Sequence, residues 1–154
     1  MGRVLMLSSI SLALVGCLSS APKAPTSWVI EADTGYAVSS VEVIAPYDGV
    51  RFVVMRKDGS VAFDGMNVFA ARPASLLRGA LRSDPAGPVL YVRRLALDCT
   101  KEGERRAVAE LLAVTRDGNE FLAAASVDAS DGNYSRAYGK AFADAVGKLG
   151  LRIR

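Results

Sequence analysis

The stretch RAVAELLAVT, residues 106–115, is apolar on both of its alternating faces. In an extended chain, Val108, Leu112 and Val114 would lie on one face, and Leu111 with three alanines would lie on the other. A strand with one solvated face alternates apolar and polar residues, whereas a strand covered on both faces does not. The stretch therefore predicts a central strand around which a sheet is arranged.

Two further strands are predicted beside it, at residues 89–99 and 120–128. The apolar residues of the first change parity halfway along: Leu90, Val92, Leu95 and Leu97. A β-bulge near Arg93-Arg94 would bring all of them to one face. The second has its core face at alternate positions: Phe121, Ala123, Ala125 and Val127.

A closing helix is predicted over residues 134–149, because apolar side chains recur there every three or four positions. This stripe comprises Tyr134, Tyr138, Ala141, Phe142, Ala145, Val146 and Leu149. An earlier helix is expected to begin near Pro73, since proline is tolerated in a first helical turn. Short strands are predicted before it, at residues 27–32, 38–45, 50–57 and 60–63, with a turn at Asp64-Gly65 after the last of them.

The order of elements is thus strands, helix, three strands, helix, with tight Asp-Gly turns between strands. This order predicts an α+β fold, with a mostly antiparallel sheet and both helices packed on one face. The domain is expected to span residues 27–154 as a single unit.

The N-terminus carries a different signal, which ends at Leu14-Val15-Gly16-Cys17. Arg3 precedes a short apolar run, and polar, proline-bearing sequence follows Cys17 at once. This pattern is typical of a bacterial lipoprotein signal peptide, with small residues at the cleavage site and a cysteine thiol that takes the lipid. The run is too short for a transmembrane helix, which needs about 20 apolar residues. The alternatives are a signal peptide of another type and a core element.

The lipoprotein interpretation divides the chain into a signal peptide at residues 1–16, a lipidated Cys17 with a flexible tether to residue 26, and the domain. Acyl chains such as palmitate on Cys17 would hold the domain on a membrane at the periplasmic face of the envelope. Leu18, rather than aspartate, follows the cysteine, and by analogy with enterobacterial sorting this favours the outer membrane.

Composition narrows the function classes. The net charge of +3 is too small, and the basic residues too scattered, to indicate nucleic-acid binding. The chain has no histidine, and we found no nucleophile elbow and no phosphate-binding loop. We therefore expect no enzyme activity, no cofactor and no metal site. If Cys17 carries lipid, Cys99 has no partner for an intramolecular disulfide and is expected to be a buried apolar side chain.

A partner surface is predicted from the excess of apolar residues on the sheet. If both helices cover one face, part of an alanine- and leucine-rich face stays exposed, and such patches mark interaction surfaces. The residues assigned to this surface are Ala109, Leu111, Ala113, Leu122 and Ala124. A second copy of the chain or another subunit is the expected occupant, and burial beneath the N-terminal strands is the alternative.

The chain also resembles the ABC-type transport auxiliary lipoproteins, which accompany MCE-type (mammalian cell entry) lipid transport systems. The resemblance covers most of residues 27–150 and depends on Trp28-Val29-Ile30, residues 52–56, 69–77, 95–99, 107–111 and 138–146. That family often has tryptophan where Phe69 stands. Only Cys17 corresponds to a functional position of the family.

The resemblance implies a non-enzymatic auxiliary subunit that works with an MCE-domain substrate-binding protein, a permease and an ATPase. The alternative is a structural lipoprotein of another envelope assembly, such as one for outer-membrane biogenesis or secretion.

Overall fold

The computed structural model describes residues 23–150. The predicted signal peptide and Cys17 lie outside the described residues, as do residues 151–154. The strands are β1 (Thr26–Trp28), β2 (Ala37–Val38), β3 (Ser40–Val43), β4 (Arg51–Met55), β5 (Val61–Phe69), β6 (Arg82–Ser83), β7 (Val89–Asp98), β8 (Arg106–Val114) and β9 (Glu120–Asp128). The helices are α1 (Pro73–Gly79) and α2 (Tyr134–Gly150).

Seven strands form one mixed sheet in the order β1-β5-β4-β7-β8-β9, with β3 paired to β7 beside β4. The antiparallel ladders join β4 to β5, β7 to β8 and β8 to β9. Parallel ladders join β1 to β5 and both β3 and β4 to β7. Buried residues of the two helices belong to one core on one face of the sheet. The predicted α+β fold is thereby confirmed.

Strand β8 lies between β7 and β9 and pairs with both along its whole length, so the predicted central strand is confirmed. The side chains at its odd-numbered positions face the helices, and all four are fully buried: Ala107, Ala109, Leu111 and Ala113. Small side chains at these positions allow α2 to lie close to the sheet.

The β7 bulge is also confirmed, because the register with β8 shifts between Val92 and Arg94. The first half of β7 pairs with β3, where Val89 faces Ser40. The second half pairs with β4, where Ala96 faces Val53. One strand thus joins both halves of the N-terminal region to the rest of the sheet.

The predicted turn at Asp64-Gly65 is wrong, because β5 continues through these residues to Phe69. The Asp64 carboxylate accepts hydrogen bonds from the backbone amides of Met66, at 2.7 Å, and Asn67, at 3.1 Å. The register with β4 shifts at this point. These local bonds produce a bulge within the strand, where the dipeptide alone suggested a reversal of the chain.

The first two predicted strands are shorter than expected. Strand β1 ends at Trp28 because the chain then crosses α2, where the amide of Glu31 donates to the carbonyl of Ser135 at 3.3 Å. The strand predicted at residues 38–45 divides at Ser39, whose amide donates to Pro88. Helix α1 begins at Pro73, as predicted.

Helix α2 buries its predicted stripe completely. At its N-terminal end, Tyr134 and Tyr138 join an aromatic cluster with β4 and β5. The Phe52 ring lies 4.5 Å from that of Phe69 and 5.1 Å from that of Tyr138, measured between centroids. The first pair is tilted and the second is edge-to-face, and such aromatic contacts stabilise the core beyond the burial of the rings themselves.

Phe142→Ala is expected to lower the free energy of unfolding by about 3–5 kcal/mol, because its ring is fully buried and the cavity would not refill. Urea denaturation followed by circular dichroism would measure the loss. Lys140→Ala, on the exposed side of the same helix, is the control and should change little. An unchanged midpoint for Phe142→Ala would contradict burial of the stripe.

Gly139 permits the close crossing of α2 by the chain after β1. A Cβ atom placed there would lie impossibly close to the backbone carbonyl oxygen of Glu31. Gly147, two turns later on the same helix, has no atom within 4 Å of its Cβ position.

Gly139→Ala should therefore destabilise the domain by about 1–3 kcal/mol, because the crossing segment would have to move. Gly147→Ala should instead stabilise it by up to about 1 kcal/mol, since alanine favours a helix over glycine. Thermal denaturation of the two variants gives the comparison. Shifts of the same sign and size would show that the crossing is not tight.

Candidate interaction surface

The sheet face opposite the helices, here called the open face, has an apolar centre. The ladders place Phe63, Val53, Ala96, Val108 and Ser126 in one row across five strands. Val53 and Ala96 are 1% and 0% exposed, although neither belongs to the core beneath the helices. The middle of the open face is therefore closed by its own neighbouring side chains, and its exposed apolar residues lie towards the edges.

The predicted partner surface is divided between the two faces. Ala109, Leu111 and Ala113 are fully buried on the helix side. Leu122 and Ala124 are exposed, and they lie opposite Leu112 and Glu110 of β8 on the open face. The prediction that these five residues form one exposed surface is therefore wrong. The physical reason is that α2 packs on the face of β8 that carries the small alanine side chains. The bulkier side chains of the other face, including Leu112, therefore lie towards the open face.

Leucines 111 and 122 provide a matched test of this division, because they lie on neighbouring strands and on opposite faces. Leu111→Glu would place an unpaired carboxylate beneath α2, and the domain should fail to fold or lose most of its stability. Leu122→Glu, at a side chain already 45% exposed, should leave a folded domain. Circular dichroism and urea denaturation separate the outcomes. Equal losses of stability would show that both faces are core.

A second apolar surface is present at the opposite end of the sheet from β9. It consists of Val61, Phe63 and Met66 on β5 and Val29 directly after β1, and is called here the β1–β5 patch. Phe63 is 52% exposed. This patch was not predicted from the sequence, because the strand predicted there ends at Phe63. The signal that was present is the alternation of Val61 and Phe63 with smaller residues along β5.

The largest cavity described, of about 760 Å³, lies where α2 meets the β9 edge of the sheet. Its charged lining residues are Arg94, Asp98, Asp144 and Lys148. The Lys148 ammonium group donates to the backbone carbonyl of Ala124 at 2.6 Å, and Asp144 pairs with Lys140 at 3.3 Å. The Lys148 ammonium group is thus directed at the protein backbone, and Asp144 is paired with a lysine of its own helix.

Asp98 is held as a carboxylate. The hydroxyl of Thr100 donates to it at 2.7 Å and the amide of Thr100 at 2.9 Å, and these bonds lower the pKa of Asp98. It is therefore a poor proton donor at neutral pH. Within residues 23–150, no group of three His, Cys, Asp or Glu side chains is arranged to hold a metal ion.

Cys99, which was expected to be a buried apolar side chain, is half-buried and packs against the core. Burial raises the pKa of its thiol, partly offset by the Arg105 guanidinium. Because the thiolate is the reactive form, the site does not activate Cys99 as a nucleophile.

Cys17 lies outside the described residues, so its lipidation stays a prediction. In the part of the chain from residue 23 to residue 150, neither helix has the length and apolarity needed to cross a bilayer.

Neither a protein-family model nor a curated protein matches the sequence. The fold is similar to that of solved structures. A crystal structure of a Xanthomonas campestris protein of the DUF330 family matches with a TM-score of 0.57 and 15% identity, over 83% of this chain and 85% of the other. A structure of an uncharacterized protein matches with a TM-score of 0.57 and 11% identity, over 86% of this chain and 100% of the other. At these identities, the likeness shows a shared fold.

Proposed function

We propose that this chain is a non-enzymatic envelope lipoprotein that serves as an auxiliary subunit of an ABC-type, MCE-associated lipid transport system. The observation that carries the proposal is Leu14-Val15-Gly16-Cys17, followed by a short tether and a single folded domain. A lipidated cysteine would hold that domain at a membrane surface on the periplasmic side of the envelope. The resemblance of residues 27–150 to the transport auxiliary lipoproteins supplies the transport role.

The geometry supports a binding role more than a catalytic one. Asp98 in the largest cavity is hydrogen-bonded as a carboxylate, and Cys99 is held as a thiol by burial. By contrast, exposed apolar side chains lie at both edges of the sheet, at Leu122 and in the β1–β5 patch. Such residues suit contact with a protein or a lipid.

Lipidation of Cys17 is tested directly by mass spectrometry of the N-terminal peptide of the protein purified from membranes. We expect a peptide that begins at Cys17 and carries acyl chains. Cys17→Ser should yield unprocessed precursor, because serine supplies no thiol for the thioether to lipid. An N-terminal peptide without acyl mass would contradict the proposal.

The transport role predicts that the full-length lipoprotein, solubilised in mild detergent, co-purifies with an MCE-domain protein, a permease and an ATPase. Genes for these components should lie beside its own. Co-purification with an outer-membrane biogenesis or secretion assembly would instead favour the structural alternative. Leu122→Glu and a Phe63→Glu variant, at exposed residues of opposite edges, would show which edge binds the partner.

A further inference from the structure

We propose that the β1–β5 patch docks the domain onto the lipid surface to which Cys17 anchors it, so that the domain lies against the membrane rather than hanging free. This inference depends on the proposed lipidation of Cys17. The occupant of the patch is the bilayer interface itself, and no protein partner is required.

The first argument is the distribution of exposed apolar side chains. The large hydrophobic residues exposed in the described part of the chain are Val29, Ile44, Val50, Val61, Phe63, Met66 and Leu122. Most of them belong to β5 or to the residue after β1. Phe63 and Val61 lie on the open face, since they are opposite Val53 and Met55 of β4. Aromatic and aliphatic side chains projecting from one edge are the type of surface that enters the interface of a bilayer.

The second argument is where the chain enters the domain. Strand β1 begins at Thr26, which lies opposite Asn67, the neighbour of Met66. Because β1 and β5 are parallel, the chain before Thr26 approaches from the side of β5 that precedes Asn67. The nine residues at 17–25 can span at most about 30 Å. A lipid on Cys17 would therefore keep Thr26 within about 30 Å of the membrane, so the patch, which adjoins β1, can reach the lipid surface.

The third argument is charge. The Asp64 carboxylate beside Met66 is occupied by the amides of Met66 and Asn67 and by the side-chain amide of Asn67, at 2.8 Å. Arg51 is exposed and lies opposite Val68 of β5, and Arg56 is exposed at the end of β4. Anionic headgroups attract basic residues placed beside a membrane. Arg51 and Arg56 can therefore contact anionic headgroups at the rim of the patch. Asp58, which interacts electrostatically with Arg56, and Asp64 limit this contribution, so the apolar side chains supply most of the attraction to the bilayer.

The shape of the edge favours a lipid surface over a second copy of the chain. Strand β1 has only three residues and pairs with residues 67–69 of β5 alone. This edge therefore offers a second chain three residues of β1 and the six residues 61–66 of β5, which the bulge at Asp64 interrupts. Strand β9, with nine residues, is the longer edge. Association of two sheets edge to edge would therefore be expected at β9, away from the β1–β5 patch.

The test uses the full-length protein, expressed with its own signal peptide and reconstituted into vesicles of phosphatidylethanolamine and phosphatidylglycerol. A fraction of the lipid carries brominated acyl chains, which quench nearby tryptophan. Phe63→Trp reports on the patch, and Leu122→Trp is the matched control at a similarly exposed leucine of the other edge. Trp28, the one native tryptophan, contributes equally to both.

We expect brominated lipid to quench Phe63→Trp about twice as strongly as Leu122→Trp, because only the patch enters the interface. Adding Val61→Asp to Phe63→Trp should reduce the quenching to the control value. Equal quenching of the two tryptophans would overturn the proposal. So would cross-linking that places residue 63 at a contact between two copies.

The acyl mass of Cys17, measured on the same preparation, separates this proposal from the proposed function. If no acyl group is found, the protein is mixed with an excess of vesicles and the quenching is measured again. If Phe63→Trp is still quenched selectively in that mixture, docking is supported, and only the predicted lipidation of Cys17 is wrong. Absence of selective quenching, with or without the acyl group, would overturn docking.

Discussion

A single β-bulge in β7, between Val92 and Arg94, keeps the apolar side chains of both halves of that strand on the helix-covered face of the sheet. Before the bulge, Leu90 and Val92 belong to the core on the helix-covered face, and after it Leu95 and Leu97 do so. Without the extra residue, the second half would turn its leucines to the open face, since a one-residue shift exchanges the two faces of a strand. The placement of all four residues in one core beneath the helices depends on this local change.

The C-terminal half of the fold was predictable because its signals are local. The stripe of α2 repeats over four turns, β8 and β9 have long regular patterns, and the parity change in β7 reveals its bulge. The N-terminal half was less predictable because its strand limits are set by distant contacts. Strand β1 ends where the chain meets Gly139 of α2, and the Asp64 bulge is formed by side-chain bonds that a dipeptide pattern does not reveal.

The interaction surface was harder to predict than the fold, because the two faces of β8 are nearly equal in hydrophobicity. Which parity a helix covers depends on side-chain size as well as polarity. The row with Ala107 and Ala109 accepts α2, and the row with Leu112 does not. The β1–β5 patch was hidden for a different reason, since the interpretation of Asp64-Gly65 as a turn separated Phe63 from Met66. The lipid site at Cys17 stays a prediction from the sequence, because Cys17 lies outside the described residues.

The pairing of β7 with two earlier strands has a consequence for how the domain is made. Strands β3 and β4 both pair in parallel with β7. Phe52 of β4 and Phe69 of β5 pack against the Tyr138 ring of α2. Residues 89–150 contain a meander and a helix that contact one another in chain order, whereas the earlier residues depend on contacts far away in sequence. During synthesis from the N-terminus, β1, β4 and β5 can pair with one another, but β3 and β4 gain their parallel ladders only after β7 exists. The rings of Phe52 and Phe69 likewise lack the α2 tyrosine that completes their packing until the last residues of the domain have been made.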